Sequence, residues 1–347
     1  MKSILALTIA SIFILAAVSH GCEKGYNGTL YHVRTPDGVY INLYRYKNNG
    51  TPLLLIPGMF ENHLIFNFPG KSFARFLYKK GFDVWILDLR SHDGDGDLLF
   101  DREHIEKNWD FDNTYLKKDL VTAISFVKNE TGRKIVIIGH SMGGYLGYAY
   151  LEVYSDENVS ALVTIGSSGV AYRIDPITKL LRLPYGMKVG NRVFVSRFSP
   201  AYLDLNNNFL FRCGVRSECF HNFKTSFKIS RRFILALDRE PAGVVVDMMY
   251  GFDKNLKNGH WVDPQTFYDY TENLSKINVP VLLIAGSKDL SDSAENIQKT
   301  FDMIGSRNKT LHIIPDYGHV DLLLGKNAEV DVYIKIKDWL DSLILPE

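Results

Sequence analysis

Ser141 lies in a pattern of residues that could make it a nucleophile. Residues 139–143 read Gly-His-Ser-Met-Gly, after a β-branched run at 135–138 that predicts a buried strand and before a stretch at 145–154 that predicts a helix. A strand-to-helix turn this sharp strains its central residue, needs glycines beside it and lifts the serine hydroxyl above the sheet edge. The sequence therefore predicts a nucleophile elbow, against the alternative of a glycine-rich turn with an idle serine.

Asp289 and His319 are the residues that could activate this serine. A serine hydroxyl needs a base, and the base needs an orienting group. Each of the two follows an apolar run that predicts a strand, and together they continue the chain order Ser, Asp, His that an elbow of this kind requires. Asp292 is an alternative carboxylate, but it lies further from the strand end and is expected to cap the next helix. We therefore predict a triad of Ser141, Asp289 and His319 that carries out acyl transfer.

Two backbone N–H groups are candidates to stabilise the negative oxygen that acyl transfer creates. Met142 begins the predicted elbow helix, where the first N–H groups are free. The other candidate is Met59, after the predicted strand at 52–56, where Gly58 leaves space; an ordinary glycine turn is the alternative there. His140 precedes the nucleophile, and we expect its ring to pack beside the elbow without transferring a proton.

Predicted strands and helices alternate over most of the chain. A hairpin at 30–46, turning at residues 36–38, comes first, and the alternation then continues until about residue 166 and resumes at 281. This pattern is typical of parallel β/α units with helices on both faces of one sheet, an α/β fold. The predicted strands after the hairpin are 52–56, 82–87, 135–138, 161–165, 281–286 and 310–314, and the predicted helices are 71–80, 112–131, 145–154, 293–304 and 328–343.

Residues 167–266 interrupt the alternation. They contain no convincing sheet strand but interleave aromatic and basic side chains. We predict a helical cap over the carboxyl edge of the sheet, where open α/β sheets bind ligands. The core domain would then comprise residues 22–166 and 267–347.

Composition excludes several classes of function. The chain has 347 residues, 46% of them hydrophobic, and a net charge of +1, which gives no electrostatic footprint for nucleic acid. Residues 93–97 alternate Asp and Gly, but they fail the calcium-loop pattern of an EF-hand. The sequence has neither zinc-ligand spacing nor a phosphate loop, so it implies no metal and no cofactor.

Residues 1–21 have the features of an export signal. Lys2 precedes an apolar run at 4–18, and small residues follow. Cys22 comes directly after, so a lipid anchor on Cys22 that attaches the protein to a membrane is one alternative, and a fully secreted protein is the other. Cys213 and Cys219 would then lie in an oxidising compartment, where they could form a disulfide or remain free thiols.

The assembled motifs resemble the α/β-hydrolase family over nearly the whole mature chain. Residues 109–132 followed by Ile-Gly-His-Ser-Met-Gly-Gly, the opening Thr-Pro-Asp-Gly-Val-Tyr-Ile-Asn-Leu, and Tyr-Gly-His-Val-Asp-Leu-Leu-Leu-Gly around His319 are similar to the acid-lipase branch and its esterase-like relatives. The resemblance implies an eight-stranded-type, mostly parallel sheet with an inserted cap. It also implies Ser141 as nucleophile, Asp289 as acid, His319 as base, and Met59 and Met142 as oxyanion donors.

These observations lead us to expect an exported serine hydrolase of carboxylic esters acting on a small-molecule or lipid ester. A peptidase, amidase or acyltransferase could use the same triad, and a surface-anchored binding protein on a retired hydrolase fold is a third alternative.

Overall fold

The computed structural model describes residues 28–58, 61–68, 71–90, 111–170, 256–257, 259–263, 265–289 and 292–343. Within these ranges, one sheet contains eight strands: β1 Thr29–Arg34, β2 Tyr40–Tyr46, β3 Pro52–Ile56, β4 Asp83–Asp88, β5 Ile135–His140, β6 Val159–Ile165, β9 Val281–Gly286 and β10 Lys309–Ile314. Their order in the sheet is β1-β2-β4-β3-β5-β6-β9-β10. A separate antiparallel pair consists of β7 Leu256–Lys257 and β8 His260–Trp261.

The sheet is antiparallel at one side and parallel elsewhere. β2 pairs antiparallel with both β1 and β4, whereas the six strands from β4 to β10 pair in parallel. Parallel pairing brings the carboxyl ends of β3, β5, β6, β9 and β10 to one edge of the sheet. This confirms the predicted α/β class and the mostly parallel eight-stranded sheet.

Helices cover both faces of the sheet, as predicted. Alternate residues of a strand point to opposite faces of the sheet. In β5, Ile137 packs in the cluster of buried residues on the first face, and Ile138 packs in the cluster on the second face. The helices are α1 Phe73–Lys79, α2 Val121–Thr131, α3 Met142–Tyr154, α4 Tyr270–Asn273, α5 Ala294–Met303, α6 Asp321–Leu324 and α7 Ile334–Ser342, with 3₁₀ turns at His63–Ile65 and Leu274–Lys276. The first face is covered by α2, α3 and α5, and the second by α1, α6 and α7. None of the described helices is long and apolar enough to cross a membrane.

Two predicted helices differ in detail from the observed ones. The stretch predicted as a helix at 112–131 begins with a wider π-helical segment, Phe111–Leu120, before α2, and it ends as predicted at Gly132, whose φ is 69°. The last predicted helix also begins with a π-helical turn, Glu329–Tyr333. The short helices α4 and α6 were not predicted, because four residues are too few to show a helical period.

Most of the predicted cap at 167–266 lies outside the described residues, so its helical nature and its boundaries stay predictions. The part that is described includes residues 167–170, which are buried, and the strand pair β7–β8. Trp261 of β8 stacks on Tyr145 of α3, with ring centroids 4.8 Å apart. This end of the predicted cap is therefore packed on the core of the fold.

Candidate active site

Ser141 occupies a strained turn between β5 and α3. Its φ is 52° and its ψ is −123°, a left-handed backbone that costs a non-glycine residue on the order of 1–3 kcal/mol. The turn is held by the N–H of Ser141, which donates to the Ile165 carbonyl (3.0 Å), and by the Ser167 hydroxyl, which donates to the Ser141 carbonyl (2.7 Å). The strand–turn–helix geometry predicted at Ser141 is thus observed, while its catalytic role stays a prediction.

The glycines of the elbow are required by close approach. A Cβ atom on Gly139 would lie 2.3 Å from the backbone of Gly143, and a Cβ atom on Gly143 would lie 2.1 Å from the Ile56 carbonyl oxygen. Only a residue without a side chain lets α3 start this close to the ends of β3 and β5. The spacing of the motif therefore follows from packing at the sheet edge.

Asp289 and His319 meet at the same edge. They follow β9 and β10, which pair in parallel, and the Nδ1 atom of His319 lies 2.8 Å from Oδ2 of Asp289. A Cβ atom placed on Gly166, at the end of β6, would lie 3.1 Å from that Nδ1 atom. The pair therefore stands beside the strand adjacent to β5, which carries Ser141. The His140 ring, next to Ser141 in sequence, has its centroid 4.8 Å from that of His319, so the histidine and the elbow are neighbours.

The pKa of His319 is set by its surroundings. Burial alone would lower this pKa, but the hydrogen-bonded Asp289 carboxylate raises it above the usual value for histidine, and Glu61 and Asp292 add to the effect. Because Nδ1 is engaged by Asp289, Nε2 is the ring nitrogen left to exchange a proton with a hydroxyl. This is the arrangement that a histidine base needs.

Asp292 does not cap the following helix, and that expectation is wrong. The cap of α5 is Ser293, whose side chain accepts the N–H of Asn296. The carboxylate of Asp292 is instead buried, and its Oδ2 accepts the Tyr145 hydroxyl (2.8 Å) and the Ser168 N–H (2.7 Å). Burial raises the pKa of Asp292 to about 7, and the nearby charge of Asp289 acts in the same direction.

The loop after β3 lies against Ser141. A Cβ atom on Gly58 would lie 2.8 Å from Cβ of Ser141, so the loop passes directly beside the candidate nucleophile. Met59, the predicted donor of this loop, lies outside the described residues and stays a prediction. Met142 is the first residue of α3, and an N–H at that position has no acceptor within its own helix. Its geometry is compatible with the predicted role.

Glu61 is a residue of this site that sequence reasoning missed. Its Oε2 atom lies 2.7 Å from Nδ1 of His140 and accepts the N–H of Gly58, also at 2.7 Å. Burial alone would raise the pKa of Glu61, but His140, His319 and the Gly58 N–H lower it below its usual value. Glu61 and His140 are 79 residues apart in the chain, so no local pattern marks their contact.

The remaining site predictions fall elsewhere. Cys22, Cys213 and Cys219, and the signal segment 1–21, lie outside the described residues.

Among the residues that are described, one group could offer three ligand atoms to a metal ion: His260, Asp269 and Glu272, with those atoms within 4.8 Å of one another. The His260 ring is already hydrogen-bonded to Asp269 (2.7 Å), and Asp269 caps α4. These contacts account for the group as part of the local structure.

Comparison with known proteins identifies relatives along nearly the whole chain. Residues 51–326 match the family described as the alpha/beta hydrolase fold. Human gastric triacylglycerol lipase is 26% identical and covers 92% of this chain and 89% of its own length. Triacylglycerol lipase 1 of Arabidopsis thaliana is 23% identical and covers 96% of each chain.

Solved structures agree on the fold. A thermophilic esterase from Thermogutta terrifontis has a TM-score of 0.60 at 20% identity and covers 91% of this chain and 98% of its own. A membrane phospholipase A described as a bacterial virulence factor has a TM-score of 0.64 at 17% identity, covering 98% and 96%. The resemblance to acid lipases and esterases expected from the motifs is confirmed, and the chain belongs to the α/β-hydrolase family.

Proposed function

We propose that this protein is a serine hydrolase that cleaves carboxylic esters through an acyl-enzyme intermediate. The observation that carries the proposal is the hydrogen-bonded pair of Asp289 and His319, at the edge of the sheet where Ser141 stands in its strained turn. Nucleophile, base and orienting carboxylate are the three groups that acyl transfer by a serine requires. The lipases and esterases among its relatives support the same reaction class.

In the proposed first half-reaction, the Ser141 hydroxyl attacks the ester carbonyl carbon, and its proton moves to Nε2 of His319. Asp289 keeps the proton on Nδ1 and stabilises the imidazolium that forms. The carbonyl oxygen becomes negative and accepts hydrogen bonds from the N–H groups of Met142 and Met59. The C–O bond to the alcohol then breaks, and the leaving alkoxide takes the proton from His319.

The second half-reaction regenerates the enzyme. A water molecule gives a proton to His319 and attacks the acyl carbon, and the bond to Ser141 breaks as the serine recovers its proton. Only the neutral His319 ring can act as a base, and its fraction increases as pH rises. Because the pKa of His319 is raised, this increase occurs at a higher pH than for an ordinary histidine. Activity should therefore increase with pH through the pKa of His319.

The proposed substrate is a lipid or other apolar ester. The relatives support this proposal, because they include triacylglycerol lipases of animals and of a plant. We further propose that the enzyme acts outside the cytoplasm, because residues 1–21 have the features of an export signal. Whether Cys22 then carries lipid would be tested by the mass of the mature protein.

Hydrolysis of nitrophenyl esters by the purified mature chain tests the proposal. The Ser141→Ala variant should lose turnover by on the order of 10⁴-fold or more, because removal of a serine nucleophile leaves only the background from binding and the oxyanion site. Unchanged turnover in that variant would refute the assignment. Matched amides and an added alcohol acceptor, assayed in parallel, would distinguish an esterase from an amidase and from an acyltransferase.

A further inference from the structure

We propose that Glu61 is a positioning residue that holds Gly58, in the loop after β3, against the nucleophile elbow through His140. The inference rests on the proposed function, in which this loop supplies one of the two oxyanion donors. It assigns to a carboxylate outside the triad the task of holding that donor in register with Ser141.

Glu61 joins two segments that are remote in the chain. Its Oε2 atom accepts the Gly58 N–H at 2.7 Å and lies 2.7 Å from Nδ1 of His140. The backbone N–H of Glu61 in turn donates to the Gly58 carbonyl at 3.2 Å. The described ends of the loop are therefore tied to each other and, by the same carboxylate oxygen, to the end of β5.

His140 is a rigid anchor for this tie. It is fully buried, it is the last residue of β5, and it directly precedes Ser141. Its other ring nitrogen, Nε2, lies 3.4 Å from the backbone carbonyl of His319. The imidazole thus contacts the loop after β3 and the segment that carries the proposed base. Because the backbone of His140 continues directly into Ser141, a shift of His140 would also disturb the elbow.

The Glu61 carboxylate lies close to the candidate nucleophile. A Cβ atom on Gly58 would lie 2.7 Å from Oε2 of Glu61 and 2.8 Å from Cβ of Ser141, which places the carboxylate beside the nucleophile. A free negative charge there would oppose the oxyanion that forms on the substrate. The hydrogen bonds that Oε2 accepts from the Gly58 N–H and from Nδ1 of His140 offset this charge, and they also hold the loop in place. An error of about 1 Å in the placement of a catalytic group can cost about 10²-fold in rate.

Two substitutions distinguish the effect of the length of the Glu61 side chain from the effect of its charge. Glu61→Gln keeps the length of the side chain and an oxygen that can accept both hydrogen bonds, but it removes the charge. Glu61→Asp keeps the charge, but its side chain is one methylene shorter and cannot meet both donors. We expect Glu61→Asp to lower kcat by on the order of 10- to 100-fold with little change in KM, because the displaced donor binds an oxyanion that forms only as the transition state is reached. We expect Glu61→Gln to retain kcat within about threefold of the wild type.

Glu61→Gln should also change the pH profile. The charge of Glu61 contributes to the raised pKa of His319, so its removal should move the acidic limb of kcat/KM to lower pH. A structural role alone would not move that limb. Glu295→Gln, at an exposed glutamate on α5, is the matched control and should leave kcat, KM and the pH profile unchanged.

Steady-state kinetics on a nitrophenyl ester, with unfolding curves for every variant, decide the matter. Wild-type kcat in Glu61→Asp, or a loss in Glu61→Gln at least as large as in Glu61→Asp, would overturn the positioning role. A rise in KM alone would also overturn it. Failure of the proposed function would look different, because the wild type itself would then be inactive or Ser141→Ala would remain active.

Discussion

The backbone N–H of Asp292 donates a hydrogen bond to Oδ1 of Asp289 at 2.8 Å. Oδ2 of the same Asp289 carboxylate meets the His319 ring, so each oxygen of Asp289 has a defined partner. The carboxylate of Asp292 itself is bound by the Tyr145 hydroxyl and the Ser168 N–H. Of the two aspartates that the sequence offers as the acid, only Asp289 is hydrogen-bonded to the histidine in the described residues.

The first prediction separates these two aspartates. Asp289→Asn should lower kcat by on the order of 10⁴-fold, because an amide no longer holds the His319 ring in the tautomer that can accept the serine proton. Asp292→Asn keeps its backbone N–H and an oxygen for its partners, so it should retain most of the wild-type kcat. Kinetics of the two purified variants on one ester measure the contrast. An Asp292→Asn variant as impaired as Asp289→Asn would make Asp292 the functional acid.

The second prediction concerns stability and pH. The pKa of Asp292 is raised to about 7 by burial, from 3.8, so between those values the folded state holds a proton that the unfolded chain has released. The free energy of unfolding contributed by this group should therefore fall as pH rises from about 4 to about 7, by a few kcal/mol in total. Asp292→Asn lacks this titration.

Urea unfolding of the wild type and of Asp292→Asn at pH 5 and pH 8 checks this prediction. The variant should gain in stability relative to the wild type between the two values, because it carries no carboxyl group at position 292 that must ionise in the folded state. A difference in unfolding free energy that stays constant with pH would contradict the assigned burial of the charge.

The sequence predicts the frame of the site well, because its signals are local. β3 and β9 have the predicted bounds, 52–56 and 281–286, since each is a short apolar run closed by turn residues. The elbow, the order of the three candidate residues and the sheet edge they share follow from the same local patterns. Gly132 also ends its helix where predicted, in a left-handed conformation.

What the sequence could not predict depends on contacts between distant segments. Asp292 and Ser293 are adjacent and both suit a helix cap, and the choice between them is made by the Ser168 N–H, 124 residues away, which binds the carboxylate. In the sequence, Glu61 has no feature that distinguishes it from other loop residues, and its role depends on the fold placing His140 of β5 beside it. The widening of the helix over Phe111–Leu120 likewise has no periodic signal that would distinguish it from an α-helix.

The third prediction tests the strain at the elbow. Ser141 has a φ of 52°, which glycine adopts freely and other residues do not. Ser141→Gly and Ser141→Ala should both be inactive, but the glycine variant should be more stable than the alanine variant by about 1 kcal/mol, net of the entropy that glycine gains in the unfolded chain. Urea unfolding of both variants measures the difference. An alanine variant as stable as the glycine variant would mean that the turn is relaxed.

The most direct test of the proposed chemistry is covalent labelling with a fluorophosphonate, followed by intact mass and peptide mapping. The wild type should take up one adduct, on Ser141, and Ser141→Ala should take up none. His319→Gln should label more slowly by on the order of 10³-fold or more, because the hydroxyl has lost its base. An adduct that persists in Ser141→Ala, or labelling of His319→Gln at the wild-type rate, would contradict a serine nucleophile activated by His319.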